Sequence, residues 1–246
     1  MKIDNDETKD LARSFVILAH VRTGGTFCAH ALSNHPQVYC DRGETLHHGS
    51  AWRKARIPVE AILGAIWGAD GYHAAGFRAI YTQAYHDAVW PLIETERAWI
   101  IHLTRENVTR QAVSNAYQQM VRHGTLPYYA VHSFEERRPE PVEADVTMIV
   151  GYARRIRREV REGAARLACY EEPVLEVTYE EMTGGAGATE MVEAVAYRIE
   201  DFLEVERARL PVALKRDFPV PMREWFTNWR AMRRGLKAAG FGGRDG

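Results

Sequence analysis

Short apolar runs alternate along this chain with stretches of helical periodicity. Runs at 15–19, 38–40, 74–77, 99–103 and 174–178 have the length of strands, and the first, Phe-Val-Ile-Leu-Ala, has no polar position at all. A strand apolar at every position is buried on both faces, the situation of a parallel sheet covered by helices. Between these runs, 58–67, 82–93 and 106–121 carry apolar residues at helical spacing. In the last of them Val108, Ala112, Ala116 and Met120 recur every four residues and predict one stripe facing the sheet. Arg110, Ser114 and Gln118 form a separate polar row. A long basic helix is expected from about 146 to 170. The alternation as a whole predicts an α/β fold, a parallel sheet flanked by helices.

Length adds that one core suffices: 246 residues are expected to form a single domain, 1–246. Its N-terminus, 1–12, is expected to be flexible, and the charged, proline-bearing stretch 133–145 to be an exposed loop. Lys+Arg number 32 against 33 Asp+Glu, for a net charge of -1. That balance supplies no overall basic field, so no nucleic-acid partner is expected. Arg154, Arg155, Arg157, Arg158 and Arg161 read as a solvated helix face. Trp225, Trp229 and Phe241 are large enough to require packing.

No run approaches the length of a membrane span. The first ten residues are polar and acid-rich, unlike a signal peptide, so a cytoplasmic location is expected. Cys28, Cys40 and Cys169 are odd in number and share no CxxC spacing, which argues against a disulfide framework or a zinc ribbon. His47 and His48 are two ligands without a third, so no metal site is expected.

The segment most suggestive of chemistry is 14–27, which runs from a buried strand through a turn of small residues into a helix. Gly24 and Gly25 let the backbone turn sharply and aim N–H groups at an anion. The helix opening near Thr26 and Phe27 adds its positive dipole end, and Arg22, Thr23 and Thr26 are candidate side-chain donors. The G-x-x-x-x-G-K-[ST] pattern of a nucleotide triphosphatase is missing. A plain connection between strand and helix is the structural alternative for this turn.

The loop resembles the 5′-phosphosulfate loop of sulfotransferases, in which a basic residue precedes a Ser/Thr-Gly-Ser/Thr-Thr turn; Gly25 stands where that family usually has Ser or Thr. The stretch Ala31-Leu32-Ser33-Asn34-His35-Pro36-Gln37-Val38, followed by Gly43-Glu44, is similar to bacterial carbohydrate sulfotransferases. The strand ending at Arg105, with Ser114 on the helix beyond it, looks like the family's 3′-phosphate segment. Ser114 stands nine positions after Arg105, where eight is common in the superfamily. Arg110, one turn before Ser114, is placed to share the phosphate. Val174-Leu175-Glu176-Val177-Thr178-Tyr179-Glu180-Glu181-Met182 resembles a late strand followed by Tyr-Glu-Asp-Leu, whose Tyr179 and acids are expected to orient neighbouring loops. Arg223-Glu224-Trp225-Phe226-Thr227-Asn228-Trp229-Arg230 is similar to the Asn-Trp segment before the family's last helix.

The resemblance implies a P-loop-like sulfotransferase fold. It also implies 3′-phosphoadenosine 5′-phosphosulfate (PAPS) as donor and adenosine 3′,5′-bisphosphate (PAP) as product, with a carbohydrate or other small-molecule acceptor. Cofactor binding then falls to Arg22, Thr23, Gly24, Gly25, Thr26, Phe27, Arg105, Arg110 and Ser114, with Lys215 and Arg216 in a basic loop closing over it. Arg22 is also expected to stabilise charge in the transfer. The acceptor hydroxyl needs a base, for which Glu44 at the sheet's C-terminal edge is the first candidate and His48, with His47, the competitor. Arg78, after a strand, is a candidate cation on the acceptor or sulfate side. His20, at a strand end, reads as a packed or hydrogen-bonded residue. A P-loop kinase, or a non-catalytic module that keeps the nucleotide cleft, are the alternatives.

Overall fold

The computed structural model describes residues 12–42, 45–46, 54–85, 88–122, 141–185, 188–212 and 222–242. Five strands form one sheet: β1 (Arg13–Ala19), β2 (Val38–Asp41), β3 (Ala74–Ile80), β4 (Trp99–Thr104) and β5 (Val174–Thr178). Their order is β2-β3-β1-β4-β5, and every pairing is parallel. All five coincide with the apolar runs in the sequence. The run with no polar position, β1, is the central strand, buried from Ser14 to Ala19.

Alternation along β1 divides the core in two. Phe15, Ile17 and Ala19 pack with Cys28, Ala29 and Leu32 of helix α1 (Gly25–Leu32) and with Val195, Ala196, Ile199 and Leu203 of a later helix, α8 (Glu193–Leu203). Val16 and Leu18 face the opposite layer. That layer comprises α2 (Val59–Trp67), α3 (Tyr81–Ala84), α4 (Trp90–Thr95) and the end of α6 (Val146–Leu167). The chain therefore leaves β1 toward one face and its neighbour β3 toward the other. A crevice opens at such a divergence, outside the carboxyl ends of the strands.

Two expectations about helices change. The stretch 82–93 is two short helices, α3 and α4, and Pro91 falls in the first turn of the second, where its missing N–H has no helical partner to lose. The stripe on α5 (Val108–Arg122) does not face the sheet. Ala112 and Ala116, with Val108 and Met120 beside them, pack into a separate cluster with Ile149, Ala153 and Ile156 of α6 and with the C-terminal segment. An apolar stripe states that a helix has a buried side but not which element covers it.

The C-terminal segment closes this second cluster. Trp225, Phe226 and Phe241 are buried in it, Trp229 packs against it, and α9 (Trp229–Ala238) adds Met232 and Leu236. Asn228 binds both backbone groups of Ala144, its Nδ2 donating to the carbonyl at 2.7 Å and its Oδ1 accepting the N–H at 3.0 Å. Of the loop expected at 133–145, residues through 140 lie outside the described residues. The remainder is anchored: Val142 bridges to Phe226, Ala144 is buried, and Asp145 caps α6 by accepting the N–H of Met148. The arginines of α6 are exposed, with Arg155 and Arg158 paired to Glu159 and Glu162 one turn on and Arg157 stacked on Phe241.

Cys28 and Cys40 are core residues. Burial pushes the Cys28 thiol up to about 12 and the Cys40 thiol well above its ordinary value. No helix among the described residues is long and apolar enough to cross a membrane.

Candidate functional site

The turn from β1 into α1 sits at the sheet's centre. Arg22 adopts a left-handed backbone with φ 65°, and Gly24 follows with φ 84°. For Arg22 that conformation costs on the order of 1 kcal/mol, and such residues concentrate where a fold needs a special shape. At Gly24 the cost vanishes, but a second constraint appears. A Cβ there would lie 2.7 Å from Cδ2 of Tyr179 and 2.8 Å from Cε of Met182. Gly24 is also the N-cap of α1; no side chain caps the helix and no acid occupies its first turn. The amides that open α1 thus take no acceptor from the cap residue at the dipole's positive end, and Thr26 is exposed beside them. These residues fit an anionic phosphate group.

Thr23 departs from its expected role as a side-chain donor. It is fully buried, and its hydroxyl donates to the carbonyl of His20 at 2.8 Å, tying the turn to itself.

The later segment converges on this loop. Nε of Arg22 donates to Oγ of Ser114 at 2.8 Å, and Nη1 of Arg105 donates to the carbonyl of Arg22 at 2.8 Å. The Arg105 guanidinium lies 4.2 Å from the centre of the Tyr179 ring, and its Nε is 3.7 Å from Glu180. Tyr179 therefore backs both Gly24 and Arg105. It opens α7 (Tyr179–Thr183), which is fixed by a capping box between Thr178 and Glu181. Glu180 accepts the backbone N–H of Glu106 at 3.1 Å and that of Asn107 at 3.4 Å. The backbone N–H of Thr178 and the Arg198 guanidinium hold the Glu181 carboxyl below its usual range. The Tyr-Glu-Glu segment thus orients the strand end and helix start that carry Arg105. Asn107 caps α5 by accepting the N–H of Arg110, which is half-buried one turn before Ser114.

A second group of cations borders the loop. At Gly25 a Cβ would fall 2.8 Å from Cδ of Arg78 on β3. The arginine stem fills the space that a Ser or Thr side chain would take. In the β2–β3 register Asp41 lies beside Phe77, so Arg42, just past the end of β2, and Arg78, within β3, follow side by side. Burial, then the charges of Arg42 and Arg78, lower the pKa of His30 on α1. Glu44, His47, His48, Lys215 and Arg216 lie outside the described residues.

The His-Pro segment is structural. The backbone N–H of Gln37 donates to Nδ1 of His35, so Nε2 carries the proton and donates to the carbonyl of Glu206 at 2.8 Å. This pins the start of β2 to the chain beyond α8.

On the other face, His20 is hydrogen-bonded as expected of it. The amide nitrogen of Gln111 on α5 donates to the carbonyl of Val21 at 2.7 Å and lies 3.1 Å from Nδ1 of His20, while Nε2 meets Glu159 of α6 at 2.7 Å. Burial by itself would raise the Glu159 carboxyl, but hydrogen bonds from His20 and Arg155, with their charges, hold it down at about 2. A cleft of about 260 Å³ opens here, floored by Val21, Ile80, Tyr81 and Ile156, with Asn115 and Glu159 in its walls. Tyr81 belongs to a hydrogen-bonded chain that runs from the core to the exposed Glu176: its hydroxyl donates to Nε2 of His102 at 2.5 Å, and Nδ1 of His102 donates to Glu176 at 2.7 Å. Burial, then neighbouring Tyr85, Glu176 and Glu159, raise the Tyr81 pKa, so it stays a donor.

Glu159, Asn115 and Tyr81 had no signal as site residues in the sequence. Their roles arise where α3, α5 and α6 meet, and only the position of Tyr81 just past a strand end hints at one. Among the described residues no group of three or more His, Cys, Asp or Glu side chains is placed to hold a metal ion. No protein-family model matches the chain, and no curated protein shows a significant match to it.

Proposed function

We propose that the protein is a PAPS-dependent sulfotransferase that moves a sulfuryl group to an acceptor hydroxyl and releases PAP. The observation that carries this reading is the hydrogen bond from Arg22 to Ser114, reinforced by that from Arg105 to the Arg22 carbonyl. An anion-binding loop and an arginine-serine pair from a distant helix meet in one place, as a nucleotide with phosphates at both its 5′ and 3′ positions requires.

Such a transfer forms a bond from acceptor oxygen to sulfur and breaks the bond from sulfur to the bridging phosphate oxygen. The electron pair leaves with the 5′-phosphate, and the acceptor's proton passes to a base. The α1 amides and Arg22 are suited to the charge on the leaving phosphate, and Arg78, over Gly25, to the transferring oxygens. Ser114 and Arg110 are suited to the 3′-phosphate, and Arg105 holds the loop in shape. Glu44 remains the proposed base, with His48 its competitor, and Lys215 and Arg216 the proposed cover.

Calorimetric titration with PAP tests the nucleotide site, and absence of binding overturns the reading. Glu44→Ala then separates an enzyme from a silent binding module. The enzyme loses transfer while PAP affinity stays within about twofold; a module shows no transfer in the wild type either. Magnesium-dependent ATP turnover would instead point to a kinase.

A further inference from the structure

Helices α6 and α9 carry their charge in the same pattern. On α6, Arg154, Arg158 and Arg161 recur at steps of four and three residues, and on α9 Arg230, Arg234 and Lys237 repeat that spacing. Each trio forms one stripe, and all six side chains are exposed. The opposite sides of both helices enter the same apolar cluster, α6 through Ile149, Ala153 and Ile156 and α9 through Met232 and Leu236. Gly235 lets the two lie side by side, since a Cβ there would come 2.5 Å from Cγ1 of Val146. Further along, Nη2 of Arg157 donates to the carbonyl of Gly240 at 2.8 Å and fastens α6 to the end of α9. Two helices that share a core beneath and touch along their flanks turn both stripes outward, so cations from distant segments of the chain make one face.

Composition sets this face apart from an ordinary solvated surface. Residues 146–170 and 222–242 hold eleven Lys and Arg, ten of them Arg, against three Glu. The rest of the chain then holds 21 Lys and Arg against 30 Asp and Glu, so a protein of net charge -1 is strongly polarised. Glu162 comes no nearer to Arg158 than 3.9 Å, with both side chains largely in solvent, so that pair neutralises little. A guanidinium can bind two phosphate oxygens at once, which favours a phosphate-bearing partner over a diffusely acidic one.

Shape narrows the partner. Two helices side by side are roughly 20 Å across, too broad for the ~12 Å major groove of duplex DNA. Stacking on unpaired bases requires accessible rings, but Trp225, Phe226 and Phe241 of this region are buried in the cluster. A plane of phosphates asks for neither a groove-sized helix nor an aromatic platform. We propose that the α6–α9 face docks on the surface of an anionic phospholipid bilayer. The contact is electrostatic and does not insert, because the apolar sides of both helices are already occupied in the core. It does not depend on the sulfotransferase reading.

Co-sedimentation of the full chain with vesicles tests this. Vesicles of phosphatidylcholine containing about a third phosphatidylserine are expected to bind it roughly tenfold or more tightly than phosphatidylcholine alone at ~0.05 M salt, and the binding should fall about tenfold by ~0.5 M salt. Arg154→Glu with Arg161→Glu, and separately Arg230→Glu with Arg234→Glu, should each weaken it about tenfold, with circular dichroism showing the variants folded. Should one pair fail to fold, the other carries the same test, and the dependence on phosphatidylserine and salt stands on the wild type alone. Equal binding to both kinds of vesicle, no binding to either, or binding unmoved by the substitutions overturns the proposal. Tighter binding to a short DNA duplex than to the anionic vesicles at equal phosphate concentration also overturns it, in favour of a nucleic-acid surface.

Discussion

Arg22 and Ser114 stand ninety-two residues apart in the chain and 2.8 Å apart in space, joined by a hydrogen bond from Nε to Oγ. The arginine is held at both ends, since its carbonyl also accepts Nη1 of Arg105. A left-handed residue anchored in this way has little freedom left to lose, so the loop's shape is set without a ligand.

Removing the Ser114 hydroxyl should therefore loosen the side chain more than the fold. Ser114→Ala is expected to shift stability by no more than about 1–2 kcal/mol and to weaken PAP about tenfold. Denaturant melts and calorimetry check the two halves separately, and unchanged PAP affinity would place Ser114 outside the phosphate site.

Gly24→Ala meets two obstacles, a backbone at φ 84° and a Cβ pressed against Tyr179 and Met182. The expected loss is roughly 1–3 kcal/mol, with nucleotide binding impaired at temperatures where the variant is still folded. Urea unfolding followed by tryptophan fluorescence measures it.

Glu159 gives a pH dependence of known sign. Its carboxyl is held at about 2 in the folded protein, below its ordinary value of 4.5. The stability this confers is fully present above about pH 5 and is lost as pH falls toward 2, because the unfolded chain takes up the proton first. Glu159→Gln should destabilise the protein at pH 7 and flatten the fall in urea midpoint between pH 5 and 2.

Asn228→Asp replaces the donor that meets the Ala144 carbonyl with an oxygen. The Ala144 carbonyl then opposes an oxygen while Oδ1 still accepts the Ala144 N–H, and the expected cost is about 1–3 kcal/mol in thermal unfolding. An unchanged melting temperature would show that the clamp contributes nothing.

The central strand was legible because burial on both faces leaves an unbroken apolar run at 15–19, and the loop because glycine tolerates a backbone that other residues resist. The contacts between segments were not. Nothing in the local sequence pairs His20 with Glu159 or turns the Ala112–Ala116 stripe toward α6, since these follow from how helices cross above the sheet. Thr23 shows the same limit at close range: a hydroxyl in a phosphate-type loop reads as a donor to the ligand, yet a carbonyl three residues back takes it.

The helix that bears Ser114 and Asn115 is fastened from its far side. Thr109 donates to the carbonyl of Phe241, and the cluster around Trp225 and Phe226 fills the space behind Ala112 and Ala116. A chain interrupted before residue 222 would still contain every described strand and the glycine turn. It would lack the counterweight that keeps the arginine's distant partner in reach, so the loop's geometry leans on residues far beyond the sheet.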